Sequence, residues 1–105
     1  KFILSVDKIK VGTLSAHDGE WYFQYSNEFK KQSDRYNKII GFSDLDKTYK
    51  SSELWPFFRI RIPGLKQPAI QEIIQKEKID QESDVELLKR FGQRSIANPY
   101  ELEMA

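Results

Sequence analysis

Few side chains in this sequence could carry out chemistry, and they do not cluster. There is one histidine, His17, set beside Asp18 and Gly19, and there is no cysteine. A hydrolase triad, a His-rich metal site and a thiol nucleophile each require more than that. A histidine next to an Asp-Gly turn signal reads as a solvated turn residue. Asp44 and Asp46 stand two apart, a spacing open to a metal or an acid–base pair, but loop carboxylates at that spacing more often cap turns through their own backbone. Neither the GxxxxGK[ST] nor the GxGxxG phosphate cradle occurs. Trp21, Tyr22, Phe23 and Tyr25 could stack nucleobases. Side chains alternate along a strand, however, so Trp21, Phe23 and Tyr25 share one face, read as the core face, and Tyr22 stands alone on the other. The inventory points to binding rather than catalysis, with no cofactor and no metal.

The segment from Leu54 to Gly64 holds the clearest partner signal. On a helix, Leu54, Phe57, Phe58 and Arg61 form one stripe, and Trp55, Arg59 and Ile62 form its neighbour. A surface helix normally shows one apolar stripe and one polar face. Deep burial with snorkelling arginines accounts for Phe57 and Phe58. It accounts less well for Trp55, Arg59 and Arg61, since tryptophan and arginine are enriched in binding hot spots. The expected partner-binding residues are therefore Trp55, Arg59, Arg61, Ile62, Pro63, Gly64, Leu65 and Lys66. Trp55 is expected to anchor in an apolar pocket, with Arg59 and Arg61 pairing with acidic groups.

These residues need a scaffold. A length of 105 residues suggests one domain spanning 1–105, and 39% hydrophobic residues can build a core without staples. The net charge of +1 argues against a grip on nucleic acid or membrane driven by bulk charge. No signal-peptide core is visible, since FILSV is five residues long. With no cysteine to oxidise, a cytoplasmic location is expected. The first quarter reads as β: strands over 2–6, 9–14 and 21–25, with Asp18-Gly19 turning a tight hairpin. Ile9, Val11 and Thr13 are expected on one face, and Gly12 suggests a bulge or a close backbone approach. Ser26 can cap one helical turn that buries Phe29. Lys38–Phe42 reads as a fourth strand and 43–52 as a loop. A helix is expected from Ser52 or Trp55 to Pro63-Gly64, another over 68–79, and a third after the capping box Ser83-Asp84-Val85-Glu86, stopping at Gly92. Residues 97–102 can return as an edge strand. The fold class is α+β: a small, barrel-like antiparallel sheet with about three short helices on one side.

The order of these motifs resembles the HipA N-terminal subdomain family. Val11-Gly12-Thr13-Leu14, Gly19, Phe23-Gln24-Tyr25 and Glu28-Phe29 are similar to that family's opening pattern. Phe57-Phe58 with Ile62-Pro63, and Leu87–Gly92, are similar to its later motifs. The likeness covers nearly the whole chain. It departs at Arg61, where the family pattern has Leu, at Gly64-Leu65, which replaces an acidic residue, at Arg94 in place of Asp, and at Gly41–Leu45. The resemblance implies a role in toxin–antitoxin systems. A freestanding subdomain is similar to the HipS component, which implies a non-enzymatic antitoxin that binds a HipT-like serine/threonine kinase toxin and occludes its active-site region. A HipB-like DNA-binding protein is then a further possible partner. Two alternatives follow: a structural N-terminal fragment of a larger HipA-like kinase, or a nucleic-acid-binding adaptor. The neutral charge disfavours the adaptor.

Overall fold

A computed structural model describes residues 1–105. Strands β1 (Phe2–Val6), β2 (Ile9–His17) and β3 (Glu20–Tyr25) form a meander. Both links are two-residue turns with positive φ at both positions: Asp7 and Lys8 at 50° and 67°, Asp18 and Gly19 at 51° and 76°. That geometry matches the right-handed twist of the strands it joins. The edges are β4 (Tyr49–Ser51) on β3 and β5 (Glu101–Met104) on β1, giving the order β4-β3-β2-β1-β5, with every pairing antiparallel.

The expected barrel-like closure does not form. β4 and β5 lie at opposite ends of an open sheet. β4 is three residues long, and β5 places Glu101 and Glu103 in solvent, devices that blunt an edge. Strand Lys38–Phe42 does not form either. Ile39 and Phe42 are both buried there while Ile40 between them is bare, a spacing of three that suits a turn and not a strand. The fourth strand lies instead in the segment read as loop.

In β2 the register slips between Leu4 and Ser5, which pair with Gly12 and Lys10, so Val11 is an extra residue. A bulge reverses the alternation beyond it. Val11 and Leu14 are therefore fully buried and Thr13 is not, contrary to the expected face. Gly12 does meet a neighbour: a Cβ there would lie 2.5 Å from the Gln24 carbonyl oxygen and 2.8 Å from the Phe23 ring.

Four helices accompany the sheet: α1 (Asn27–Lys31), the turn expected after the Ser26 cap, then α2 (Pro56–Arg59), α3 (Pro68–Glu77) and α4 (Asp84–Phe91). Phe29, Phe58 and Leu88 join α1, α2 and α4 to the main core, which includes Phe2, Leu4, Phe23 and Leu102. α2 begins where Pro56 supplies the first helical position, and Trp55 before it is extended, as a residue before proline prefers. It lasts four residues and stops well before Pro63-Gly64. Ser83 accepts the Glu86 N–H at 3.2 Å. The other arm of the capping box is absent because the Ser83 N–H goes to the Asp80 carbonyl. No helix is long and apolar enough to cross a membrane.

Candidate functional site

Trp55 sits at the junction of the short connection after β4 and α2. Its ring meets Phe42 edge-on at 5.1 Å, and Phe42 in turn packs on Phe23 at 4.7 Å. The indole is thus anchored on the core by one edge and half-buried. With Pro56, Phe57 and Ile60 it forms the floor of an open apolar groove of about 430 Å³. Ile40 and Gly41 line one side, and Ala97 and Asn98 the other. Ile60 is 62% exposed and Ile40 is 95% exposed. Burying a side chain of that size gains about 1.5–3 kcal/mol, so two of them left in solvent beside a half-buried tryptophan mark a surface suited to being covered. A larger depression on the outer side of β1 and β5 is lined by Lys8, Lys10, Arg94 and Glu101 and mixes both charges, which suits water better than an apolar partner.

The eight expected binding residues do not gather in one place. Trp55 lines the groove. Arg59 is exposed but engaged within the chain: its guanidinium meets the Asp84 carboxylate at 3.0 Å, bracing α2 against the first turn of α4. Ile62 is half-buried against the core, and Pro63 and Leu65 are half-buried. Gly64 and Lys66 are exposed away from the groove's lining, and the Leu65 carbonyl accepts from the Gln71 amide.

Arg61 requires the plainest correction. It is 4% exposed. Its guanidinium donates to the Gly92 carbonyl at 3.1 Å, to Asn98 Oδ1 at 3.1 Å and to the Tyr100 carbonyl at 2.8 Å. Burial holds its pKa below the usual guanidinium value. This side chain is a strut inside the chain, with no donor turned outward to pair with a partner's carboxylate. The reason is the short α2: once the helix ends near Ile60, Arg61 points inward under the C-terminal loop instead of along an exposed face.

The groove residues that sequence reasoning passed over are Ile40, Pro56, Phe57 and Ile60, with Ala97 in the second wall. The available signal was Gly41 directly after Ile40, which weakens a strand reading over 38–42. The remaining chemical candidates stay apart. His17 lies 3.1 Å from Asp18, both in solvent. Asp44 accepts the Asp46 N–H at 2.9 Å, the turn-capping role expected of it. No group of three His, Cys, Asp or Glu side chains is placed to hold a metal ion.

Neither the curated proteins nor the solved structures hold a significant match to this chain. A family does match: the model of the HipA N-terminal domain aligns with residues 3–97. That span takes in nearly all of β1, all of β2–β4 and the four helices, and every lining residue of the groove except Asn98, so this chain belongs to the HipA N-terminal domain family.

Proposed function

We propose that the chain is a non-catalytic antitoxin that docks through the Trp55 groove on a HipT-like serine/threonine kinase toxin in the cytoplasm and inhibits it by covering its active-site region. Family membership supports the kinase connection. The observation that supports docking is the groove itself, where Ile40 and Ile60 stand in solvent around a tryptophan held on edge by Phe42. The mechanism is occlusion: an apolar element beside the kinase's active site seats on the indole in the groove floor, and the flanking isoleucines Ile40 and Ile60 seal the contact from water. Arg61 takes no direct part, and Arg59 contributes at the rim after exchanging Asp84 for an acidic group.

The test is co-purification with the kinase-fold product of the neighbouring gene, followed by a kinase assay with and without this chain. Truncating a central tryptophan anchor costs about 2–4 kcal/mol, roughly 30-fold to nearly 1000-fold in affinity. Trp55→Ala should therefore release the kinase while its circular dichroism stays that of the folded chain. Wild-type affinity in that variant would remove Trp55 from the interface. A second reading is supported by the family description: an N-terminal subdomain of a larger HipA-like kinase, whose groove would meet the kinase body of its own polypeptide. Sequencing the transcript through and beyond the Ala105 codon distinguishes the two.

A further inference from the structure

The two walls of the groove belong to no strand and no helix. One is the turn Ile39–Phe42; the other is the loop Gly92–Tyr100. The first presents Ile40, 95% exposed, to the groove; the second lines it with Ala97 and Asn98. Irregular backbone carrying exposed apolar side chains should collapse onto the nearest apolar surface, which here is the groove floor. Each wall is instead pinned from inside by a single buried polar side chain. The Tyr25 hydroxyl donates to the Phe42 carbonyl at 2.6 Å and accepts the Ile39 N–H at 3.1 Å, so it grips both ends of the turn that presents Ile40. Arg61 does the same for the other wall. Its fork reaches the Gly92 and Tyr100 carbonyls at the two ends of the loop and Asn98 within it. The Leu102 N–H, donated to the Gln93 carbonyl at 2.9 Å, narrows the same neck.

The Arg61 arrangement is expensive. All three of its acceptors are neutral, and its Nε is buried with no partner. A cation buried without a counter-charge destabilises a fold relative to an apolar residue of similar size. What the guanidinium supplies is geometry: one rigid planar fork spans two carbonyls that a lysine ammonium could not satisfy together. It also aligns wall and floor. Phe57 of the floor meets the Tyr100 ring at 5.6 Å and the Arg61 guanidinium at 5.8 Å.

We infer that Tyr25 and Arg61 are positioning residues for the docking groove, holding the Ile40 wall and the Ala97-Asn98 wall apart at the width that admits an apolar element of the kinase. This rests on the docking reading above. Neither residue touches the partner; each acts through the loop it clasps.

The experiment combines backbone amide exchange with calorimetric affinity for the kinase product of the neighbouring gene. In Arg61→Met, exchange across Gln93–Tyr100 should rise at least about tenfold while β1–β3 amides keep their protection, and affinity should fall at least about tenfold. A purely stabilising role would leave the affinity of the folded protein unchanged. Ala97→Asp, in the groove lining itself, should lower affinity to a similar degree with loop exchange as in the wild type. Asn98→Ala, which removes one acceptor from a half-buried site, repeats the test if Arg61→Met does not fold, and Tyr25→Phe applies it to the other wall. Loop exchange that stays at the wild-type rate in Arg61→Met, or a loosened loop that still binds the kinase as tightly, overturns the positioning role alone. A wild-type chain that fails to bind the kinase overturns the docking reading together with it.

Discussion

Single buried polar groups decide much of this molecule's behaviour. Burial pushes the Tyr25 hydroxyl up to about 12, against the smaller opposing pull of the Ile39 N–H. The folded state then keeps this proton where the unfolded chain has lost it. Its contribution is complete below about pH 10 and disappears as pH rises toward 12, with a slope of at most about 1.4 kcal/mol per pH unit. Alkaline denaturation followed by far-UV circular dichroism should be shallower across that window in Tyr25→Phe than in the wild type. The same substitution leaves the Ile39 N–H and Phe42 carbonyl unpaired, at about 1–3 kcal/mol near neutral pH. Arg61 yields a prediction of the opposite sign. Asn98→Asp would place a carboxylate 3.1 Å from the buried guanidinium and could still accept the Tyr100 N–H. A charge-assisted bond exceeds a neutral one by about 1 kcal/mol. Thermal melting near pH 7 should rise, and the gain should vanish as pH falls through the depressed carboxyl pKa. A melting temperature at or below wild type would show that the site cannot accept the anion. By contrast, Arg59–Asp84 and Arg90–Glu77 are exposed pairs, and Arg90 holds the Glu77 carboxyl below the usual range without adding much stability.

Among the elements, β2 and α4 show most directly how local sequence meets packing. The bulge at Val11 turns both Val11 and Leu14 inward and sets Gly12 beneath Phe23. A methyl at Gly12 must push against the Gln24 backbone, which cannot move without breaking the β2–β3 ladder. Gly12→Ala should therefore cost about 2–3 kcal/mol in urea unfolding, in the range of overpacked core sites; a loss under about 0.5 kcal/mol would mean the ladder yields easily. In α4, Ser83→Ala removes the acceptor for the Glu86 N–H and should cost about 1 kcal/mol. Its Asp84 and Glu86 in the first turn and Lys89 and Arg90 in the last agree with the helix dipole. α2 has no such support. It is one short turn with no side-chain cap, and it persists because Phe58 is fully buried beneath it.

At the scale of the whole molecule, stability is uneven. The Cα radius of gyration is 14.4 Å, against about 13 Å for a compact chain of this length. α3 is the helix least joined to the core. Ile74 and Leu87 are buried outside the main core cluster, and no residue of α3 joins that cluster. Ile70 on the same helix is only half-buried. α3 is tied by Ile74, by Glu77 to Arg90 at 2.8 Å and by Gln71 to the Leu65 carbonyl. Native-state amide exchange should accordingly find α3 opening at a lower free energy than β1–β3. Equal protection in the two would mean that the molecule unfolds as one cooperative unit. The groove sits on the stable side of this divide, over Phe42, Phe58 and Phe23, where a docking surface keeps its shape without a partner.

What the sequence determined by itself was whatever depends on near neighbours. The two-residue hairpin at Asp18-Gly19, the inward face of Trp21, Phe23 and Tyr25, the Ser26 and Ser83 caps and the order of the family motifs all follow from residue types a few positions apart, because turns, alternation and caps are local physics. Tertiary structure alone decided the rest. Whether Arg61 faces a partner or the interior depends on α2 ending near Ile60 and on carbonyls 31 and 39 residues further along the chain. Whether Ile40 is a strand residue or a groove wall depends on a hydroxyl of Tyr25 reaching across from β3. Open sheet or closed barrel turned on two short edges that never meet. Contacts between residues far apart in sequence leave no periodicity to read, and in this protein those contacts shape the surface most suited to binding.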